Sequence, residues 1–190
     1  MDDYSGSYDD NFYRNGSISV QEAINNTIRD SSNGSYTALR HAYLSSSGFA
    51  NWLSNAGISD TDRFMDPSDD YAFFSPREAA QMWLQIYKYL MSGASCSAFM
   101  QDNFANTSVS FIRNACAADQ NLKSAVVWNK AGWIAEGDEY NGSSDFGVLR
   151  IDGKDYLCVF ASSIPDLSEQ SGNELEHLIT SVIQCRGYLK

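Results

Sequence analysis

The stretch that decides the fold runs from Ala125 to Ala161. It opens Ala125-Val126-Val127-Trp128-Asn129-Lys130-Ala131-Gly132-Trp133-Ile134, where apolar side chains recur with the short period of a strand instead of the longer period of a helix. Phe146 to Ile151 reads as a second strand and Tyr156 to Ala161 as a third. Between them Asp152-Gly153-Lys154-Asp155 holds an Asp-Gly pair suited to a tight hairpin turn. N-terminal to Ala125 the spacing is helical, and the chain closes on an amphipathic helix carrying Leu175, Leu178, Ile179, Val182 and Ile183. Helices, then three antiparallel strands, then one helix packed on the sheet predicts an α+β fold whose first strand has an unpaired edge.

Upstream, Ser19 and Glu22 form a capping box ahead of Val20, Ala23, Ile24, Thr27 and Ile28, which share one helical face. That helix should end near Asp30, because Asp30-Ser31-Ser32-Asn33-Gly34 favours side-chain to backbone bonds. Tyr36, Leu39, Arg40, Tyr43 and Leu44 then resume the helical period, and a short helix around Phe49, Trp52 and Leu53 closes at Gly57. Residues 58–74 read as an acidic, irregular connection. Ser75-Pro76-Arg77-Glu78 is the clearest helix start, followed by an apolar stripe of Ala79, Met82, Trp83, Ile86, Tyr87 and Leu90, with Gly93 as terminator. One or two further helices over 95–118 should turn Phe99, Met100, Phe104, Val109 and Ile112 inward. Residues 1–16 read as a loosely held arm and 17–190 as the domain, divided into a helical lobe (17–120) and a sheet with its closing helix (121–190).

With 190 residues, 43% of them hydrophobic, the chain is large enough to bury one sizeable core. Its 13 Lys and Arg against 24 Asp and Glu give a net charge of -11, so the surrounding field repels phosphates and anionic headgroups. Nucleic acid and membrane insertion are therefore not expected. The start, Met1-Asp2-Asp3-Tyr4-Ser5, has neither the basic residues nor the apolar run of a signal peptide. Cys96, Cys116, Cys158 and Cys185 are widely spaced and only His41 and His177 could join them, so no metal site or other cofactor is expected. The plainest reading is four buried free thiols, with three disulfide pairings formally open.

Two short segments carry the chemistry. Ser31-Ser32-Asn33 lies in a turn between helices, and Lys130-Ala131-Gly132 lies on the first strand just before Trp133. In this order, on these elements and with a mostly helical stretch between them, they resemble the S-x-N and K-[ST]-G motifs of the serine β-lactamase and penicillin-binding protein superfamily, most closely its class A branch. The resemblance extends over residues 17–188 and implies an incomplete β-lactamase/transpeptidase-like fold, with β-lactams or acyl-D-Ala-D-Ala peptides as the ligand class. By position it casts Ser31 as proton relay to the leaving nitrogen and Lys130 as the cation serving the substrate carboxylate and Ser31. Asn33 would hold the substrate amide, Gly132 would let substrate lie along the strand, and the Trp133 N–H would be one oxyanion donor.

The resemblance also shows what is missing. Residues three places before Lys88, Lys123, Lys130, Lys154 and Lys190 are Gln85, Gln120, Val127, Ile151 and Gly187, so no S-x-x-K nucleophile motif occurs. Only thirty residues precede Ser31, and the chain reads as the C-terminal two-thirds of such a protein. Ala131 replaces the hydroxyl residue of the third motif, and between Gly57 and Pro76 there are Asp60, Asp62, Asp66, Asp69 and Asp70 but no Glu to activate a deacylating water. The expectation is a chain inactive by itself, or alternatively a non-catalytic cell-wall peptide-binding module of the same fold. Self-association through an incomplete sheet is expected, as is a place outside the cell or in its envelope. An exported relative would permit bridges between Cys158 and Cys185 and between Cys96 and Cys116.

Overall fold

The computed structural model describes residues 3–4, 18–43, 47–66, 72–122, 125–136, 140–163 and 169–185, and the chain divides into two compact units, one up to Gln85 and one from Ile86. In the first, β1 (Asp3–Tyr4) pairs antiparallel with β2 (Ile18–Ser19); the rest of the expected arm over 1–16 lies outside the described residues. The Ser19 hydroxyl accepts the Glu22 N–H at 3.1 Å and starts α1 (Val20–Arg29), as the capping box predicts. Beyond Asp30 the backbone turns sharply, with Ser31 at φ 53° in the left-handed region that costs an ordinary residue energy. The expected polar turn is shorter than the sequence suggests. The Ser32 hydroxyl accepts the Ser35 N–H at 3.3 Å and draws Asn33 and Gly34 into the first turn of α2 (Asn33–Tyr43).

α3 (Ser47–Asn55) closes at Gly57, whose φ of 86° is one that glycine adopts without strain. Leu53, Ala56, Ile58 and Phe64 form a buried cluster with Phe49 and Trp52 against it. The connection expected to be irregular contains a single-turn helix, α4 (Asp62–Met65), held because the Arg40 guanidinium donates to the carbonyls of Phe64 at 3.3 Å and Asp66 at 2.6 Å. Asp69 and Asp70 lie outside the described residues. At α5 (Pro76–Leu90) the capping box closes in both directions: the Ser75 N–H donates to the Glu78 carboxylate at 2.8 Å and the Glu78 N–H to the Ser75 hydroxyl at 3.3 Å. Arg63 pairs with the same carboxylate.

The second unit holds α6 (Ser97–Ala105), α7 (Phe111–Ala118), the strands β3 (Val126–Glu136), β4 (Tyr140–Ile151) and β5 (Lys154–Ser162), and α8 (Glu169–Gln184). The sheet is antiparallel in the order β3-β4-β5, which confirms the α+β reading. β4 begins well before the expected Phe146, because polar Ser143, Ser144 and Asp145 pair with Trp133, Gly132 and Ala131. Ile151 pairs with Lys154 across a two-residue turn in which Asp152 (φ 51°) and Gly153 (φ 74°) are both left-handed, so Lys154 and Asp155 belong to β5 instead of to the loop. One face of the sheet carries Val127, Ala131, Leu149, Ile151 and Cys158, packed with Phe111, Ile112, Ala115 and Cys116 of α7 and Leu175, Ile179 and Ile183 of α8.

Two expectations need correction. On α8 only the single row Leu175, Ile179 and Ile183 reaches the core, and Leu178 and Val182, one step around the helix, are 50% and 45% exposed. The four cysteines are all free, as the plainest reading has it, but only Cys116 and Cys158 are buried, while Cys96 and Cys185 are exposed; neither bridge that an exported relative would permit is formed.

Two residues fix how β3 meets β4. Gly147 stands opposite Asn129, and a Cβ there would sit 2.2 Å from the Trp128 carbonyl oxygen and 2.8 Å from the Asn129 Cα. Asp145, fully buried, accepts the Ile112 N–H at 2.9 Å and the Asn129 amide at 2.7 Å, tying the start of α7 to both strands. Asn129 in turn accepts from Thr107 at 3.0 Å and from Arg113 at 3.1 Å. Burial pushes the Asp145 carboxyl up to about 6, against the opposing pull of the Ile112 and Asn129 donors, Arg113 and Phe111.

Replacing Gly147 by Ala should cost about 3 kcal/mol or more. Gly132→Ala, where the new Cβ meets only the Ser144 hydroxyl at 3.5 Å, should stay within about 1 kcal/mol in urea unfolding of both variants. Because Asp145 binds its proton more tightly folded than unfolded, its contribution to stability is present at low pH and is lost as pH rises through about 6. The chain should lose roughly 1 kcal/mol between pH 5 and 7 from this group, and Asp145→Asn should flatten that slope in denaturant titrations.

Candidate functional site

The first motif segment sits between two helices of the first unit. Ser31, half-buried and left-handed, is the bend itself, and Asn33 is exposed as the first residue of α2. Ser32 between them is the structural member. Its N–H donates to the Asn26 carbonyl at 3.1 Å, its carbonyl accepts the Tyr36 N–H at 3.0 Å, and its hydroxyl caps α2. The polar sequence that ends α1 thus leaves Ser31 and Asn33 on either side of a residue whose own groups are used by the backbone.

The second segment lies in the other unit, on β3. The structure brings Ser31 together with Asn33, and Lys130 together with Ala131, Gly132 and Trp133. Side chains alternate across a strand, so Val127, Asn129 and Ala131 face α7 and α8, while Trp128, Lys130 and Gly132 face the other way with Phe146, Ser144 and Val148 opposite them. Ala131 is 2% exposed, so its methyl belongs to the core cluster. Trp133 is exposed, and the Ser144 hydroxyl donates to the Gly132 carbonyl at 3.1 Å. Among the described residues β3 pairs with β4 alone, which leaves its outer edge uncovered by another strand.

Lys130 is half-buried and its ammonium donates to the Ala131 carbonyl at 2.7 Å. Burial pulls its pKa below that of an ordinary lysine, and the negative charge of Asp145 works against that fall. On the same sheet face, Arg150 grips Asp155 with two bonds, at 2.5 and 2.7 Å, and its guanidinium lies 5.3 Å from the centre of the Trp128 ring. The Tyr87 hydroxyl donates to the same carboxylate at 2.6 Å, which pins the end of α5 beside Trp128. Arg150 chiefly, and Tyr87 with it, hold the Asp155 carboxyl below its usual range. The face that carries Lys130 is therefore braced at its far end by an ion pair.

Sequence reasoning located the two motif segments but passed over Asn129, Asp145, Thr107 and Arg113, which hold β3 from behind. A signal for them exists. In the run Asp145, Gly147, Leu149, Ile151 every second residue points to the core, and a carboxylate in that series has to be buried among donors. Among the described residues, no His, Cys, Asp and Glu groups cluster as ligands for a metal ion, and no helix is long and apolar enough to cross a membrane.

The fold is shared with known enzymes. The TLA-3 extended-spectrum β-lactamase superposes with a TM-score of 0.64 at 16% identity, over 92% of this chain and 68% of that one. PBP-A gives 0.73 at 14% identity, covering all of this chain and 72% of the other. The chromosome-encoded β-lactamase of Vibrio parahaemolyticus gives 0.60 at 14% identity, over 92% of this chain and 67% of that one. No curated protein matches the sequence. A family model described as the beta-lactamase enzyme family matches residues 2–184, nearly the whole length, and the chain therefore belongs to that family.

Proposed function

We propose that this chain binds β-lactam or acyl-D-Ala-D-Ala type ligands through Lys130 and the strand that carries it, and that it does so without forming a covalent adduct. The observation that carries the reading is the Lys130 ammonium, half-buried beside Gly132 on a strand whose outer edge pairs with no other strand among the described residues. A cation in such a place attracts a carboxylate more strongly than one in free solution, because the surrounding dielectric is lower. With Ala at 131 the carboxylate gains no hydroxyl bond and is held by charge alone. Gly132 leaves room for a ligand backbone, and the Trp133 N–H would support a carbonyl oxygen. On the family pattern Asn33 would hold a ligand amide, whereas the Ser31 position passes a proton to a leaving nitrogen only where acylation occurs, a step that binding without acyl transfer does not include.

Acyl transfer requires an activated serine, and no serine stands three places before any lysine of this sequence. One of the solved relatives is PBP-A in an acyl-enzyme complex with penicillin G, so covalent capture is known for that protein. In the present chain we assign residues 17–190 to one β-lactamase-like domain whose motif residues serve recognition, placed outside the cell or in its envelope where such peptides occur. A second reading is favoured by the share of the relatives' length that the chain covers, 68% and 72%. Under it the chain completes its sheet by self-association or with a further segment, and only the further segment could supply the catalytic serine.

Incubation with a fluorescent penicillin, followed by intact mass measurement, should leave the 21.1 kDa chain unmodified. Benzylpenicillin should raise the melting temperature reversibly, and Lys130→Ala should abolish that rise. A covalent adduct on this chain would overturn the recognition reading in favour of catalysis, and absence of any stabilisation would overturn the recognition reading as well.

A further inference from the structure

Asp145 and Lys130 stand on opposite faces of the same sheet. Asp145 is in register with Ala131, and Ala131 adjoins Lys130, so one residue of β3 separates the two side chains while pointing them apart. The buried carboxylate is bonded to Asn129, the residue on the other side of Lys130, at 2.7 Å. Lys130 thus lies between two positions of β3 that Asp145 contacts, one through a side-chain bond and one through strand pairing. Gly147, opposite Asn129, permits the close approach that this bond needs.

We propose that Asp145 is a positioning residue for Lys130: through Asn129 it fixes the strand at that point, and it sets a negative charge behind the strand, one position along from the ammonium. The proposal rests on the reading of Lys130 as the carboxylate-binding cation, since only in that role does the placing of its ammonium matter to a ligand. The arrangement has a chemical logic. A carboxylate placed beside the ammonium on the same face would compete with the ligand for it, whereas one placed behind the strand supports the charge without occupying the ligand's side.

Among the described residues, the titratable groups coupled to Asp145 include Arg113 of α7, the Cys158 thiol of β5 and, from the opposite face of the sheet, Lys130 of β3. α8 turns Leu175, Ile179 and Ile183 toward this core and keeps His177 at the surface. Arg113 is a cation whose charge helps to hold the Asp145 carboxyl down, and its own bonds go to the Thr107 carbonyl and hydroxyl at 3.0 and 3.1 Å and to Asn129. It therefore orders the network from the α7 side while Lys130 lies on the other.

The test is the titration of Lys130 in the full chain, followed by NMR of isotope-labelled lysine side chains, with Lys130→Arg assigning the signal. In the unaltered protein the Lys130 signal should show a small inflection near the Asp145 midpoint of about 6, and His177→Gln should keep it. Asp145→Asn should lower the Lys130 midpoint by about half a pH unit or more. Tyr87→Phe, which removes the 2.6 Å bond to Asp155 and weakens the same sheet without altering charge near Lys130, should leave that midpoint unchanged. Identical Lys130 titrations in the presence and absence of the Asp145 carboxylate would overturn the proposal. So would the missing inflection, which decides the matter alone if Asp145→Asn does not fold. The titration needs no ligand. A shifted Lys130 with no stabilisation by benzylpenicillin would keep the electrostatic coupling and sink the functional reading, whereas stabilisation with an unshifted Lys130 would do the reverse.

Discussion

A carboxylate without water must be surrounded by donors, and in this protein that requirement falls on Asp145. It is fully buried, and the groups that satisfy it come from the first turn of α7 and from β3. Losing either donor leaves part of a buried charge unpaired, which costs more than an ordinary hydrogen bond contributes. The register of β3 on β4, the seat of α7 on the sheet and the local shape of the strand carrying Lys130 all follow from that one constraint. Gly147 belongs to it as well. A side chain at 147 would collide with the Trp128 and Asn129 backbone, and Asn129 could not then lie across β4 to reach Asp145.

Much of the fold was legible in the sequence because its signals are local. The capping signals at Ser19 and Ser75 act over three residues: the Ser19 hydroxyl caps its helix, and at Ser75 the box closes in both directions. Asp152-Gly153 made a tight turn because the positive backbone angles it needs are ones those two residues tolerate best. The alternation around Trp128 and Val148 set three strands in chain order, and that order with its flanking helices gave the fold class.

What was not legible depends on partners distant in the chain. Leu178 and Val182 sit at helical spacing with Leu175 and Ile179, and only the width of the surface that α7 and the sheet offer decides that two of the four stay outside. The early start of β4 at Tyr140 reflects pairing, since Ser143 and Ser144 carry no strand pattern of their own. At the candidate site the motif residues were visible as types in order. The support behind them was not, because Asn129 meets Asp145 across strands and meets Arg113 from a helix. No spacing within one element could announce those bonds.

The two motif segments solve the same problem in different ways. A functional side chain held in place needs its neighbours satisfied elsewhere, so that it is not drawn into the backbone's own bonding. In the α1–α2 bend, Ser32 takes on that work with its N–H, carbonyl and hydroxyl all engaged, flanked by Ser31 in a left-handed conformation and by Asn33 at the head of a helix. On β3, Asn129 and Ala131 do the same from the buried face, one by hydrogen bonding and the other by packing, with Lys130 between them on the opposite face. In each case the residue adjoining the motif residue is the one that the fold consumes. A strand does this through its two-residue period and a turn through capping, and in both the sequence places chemistry beside structure at a separation of a single residue.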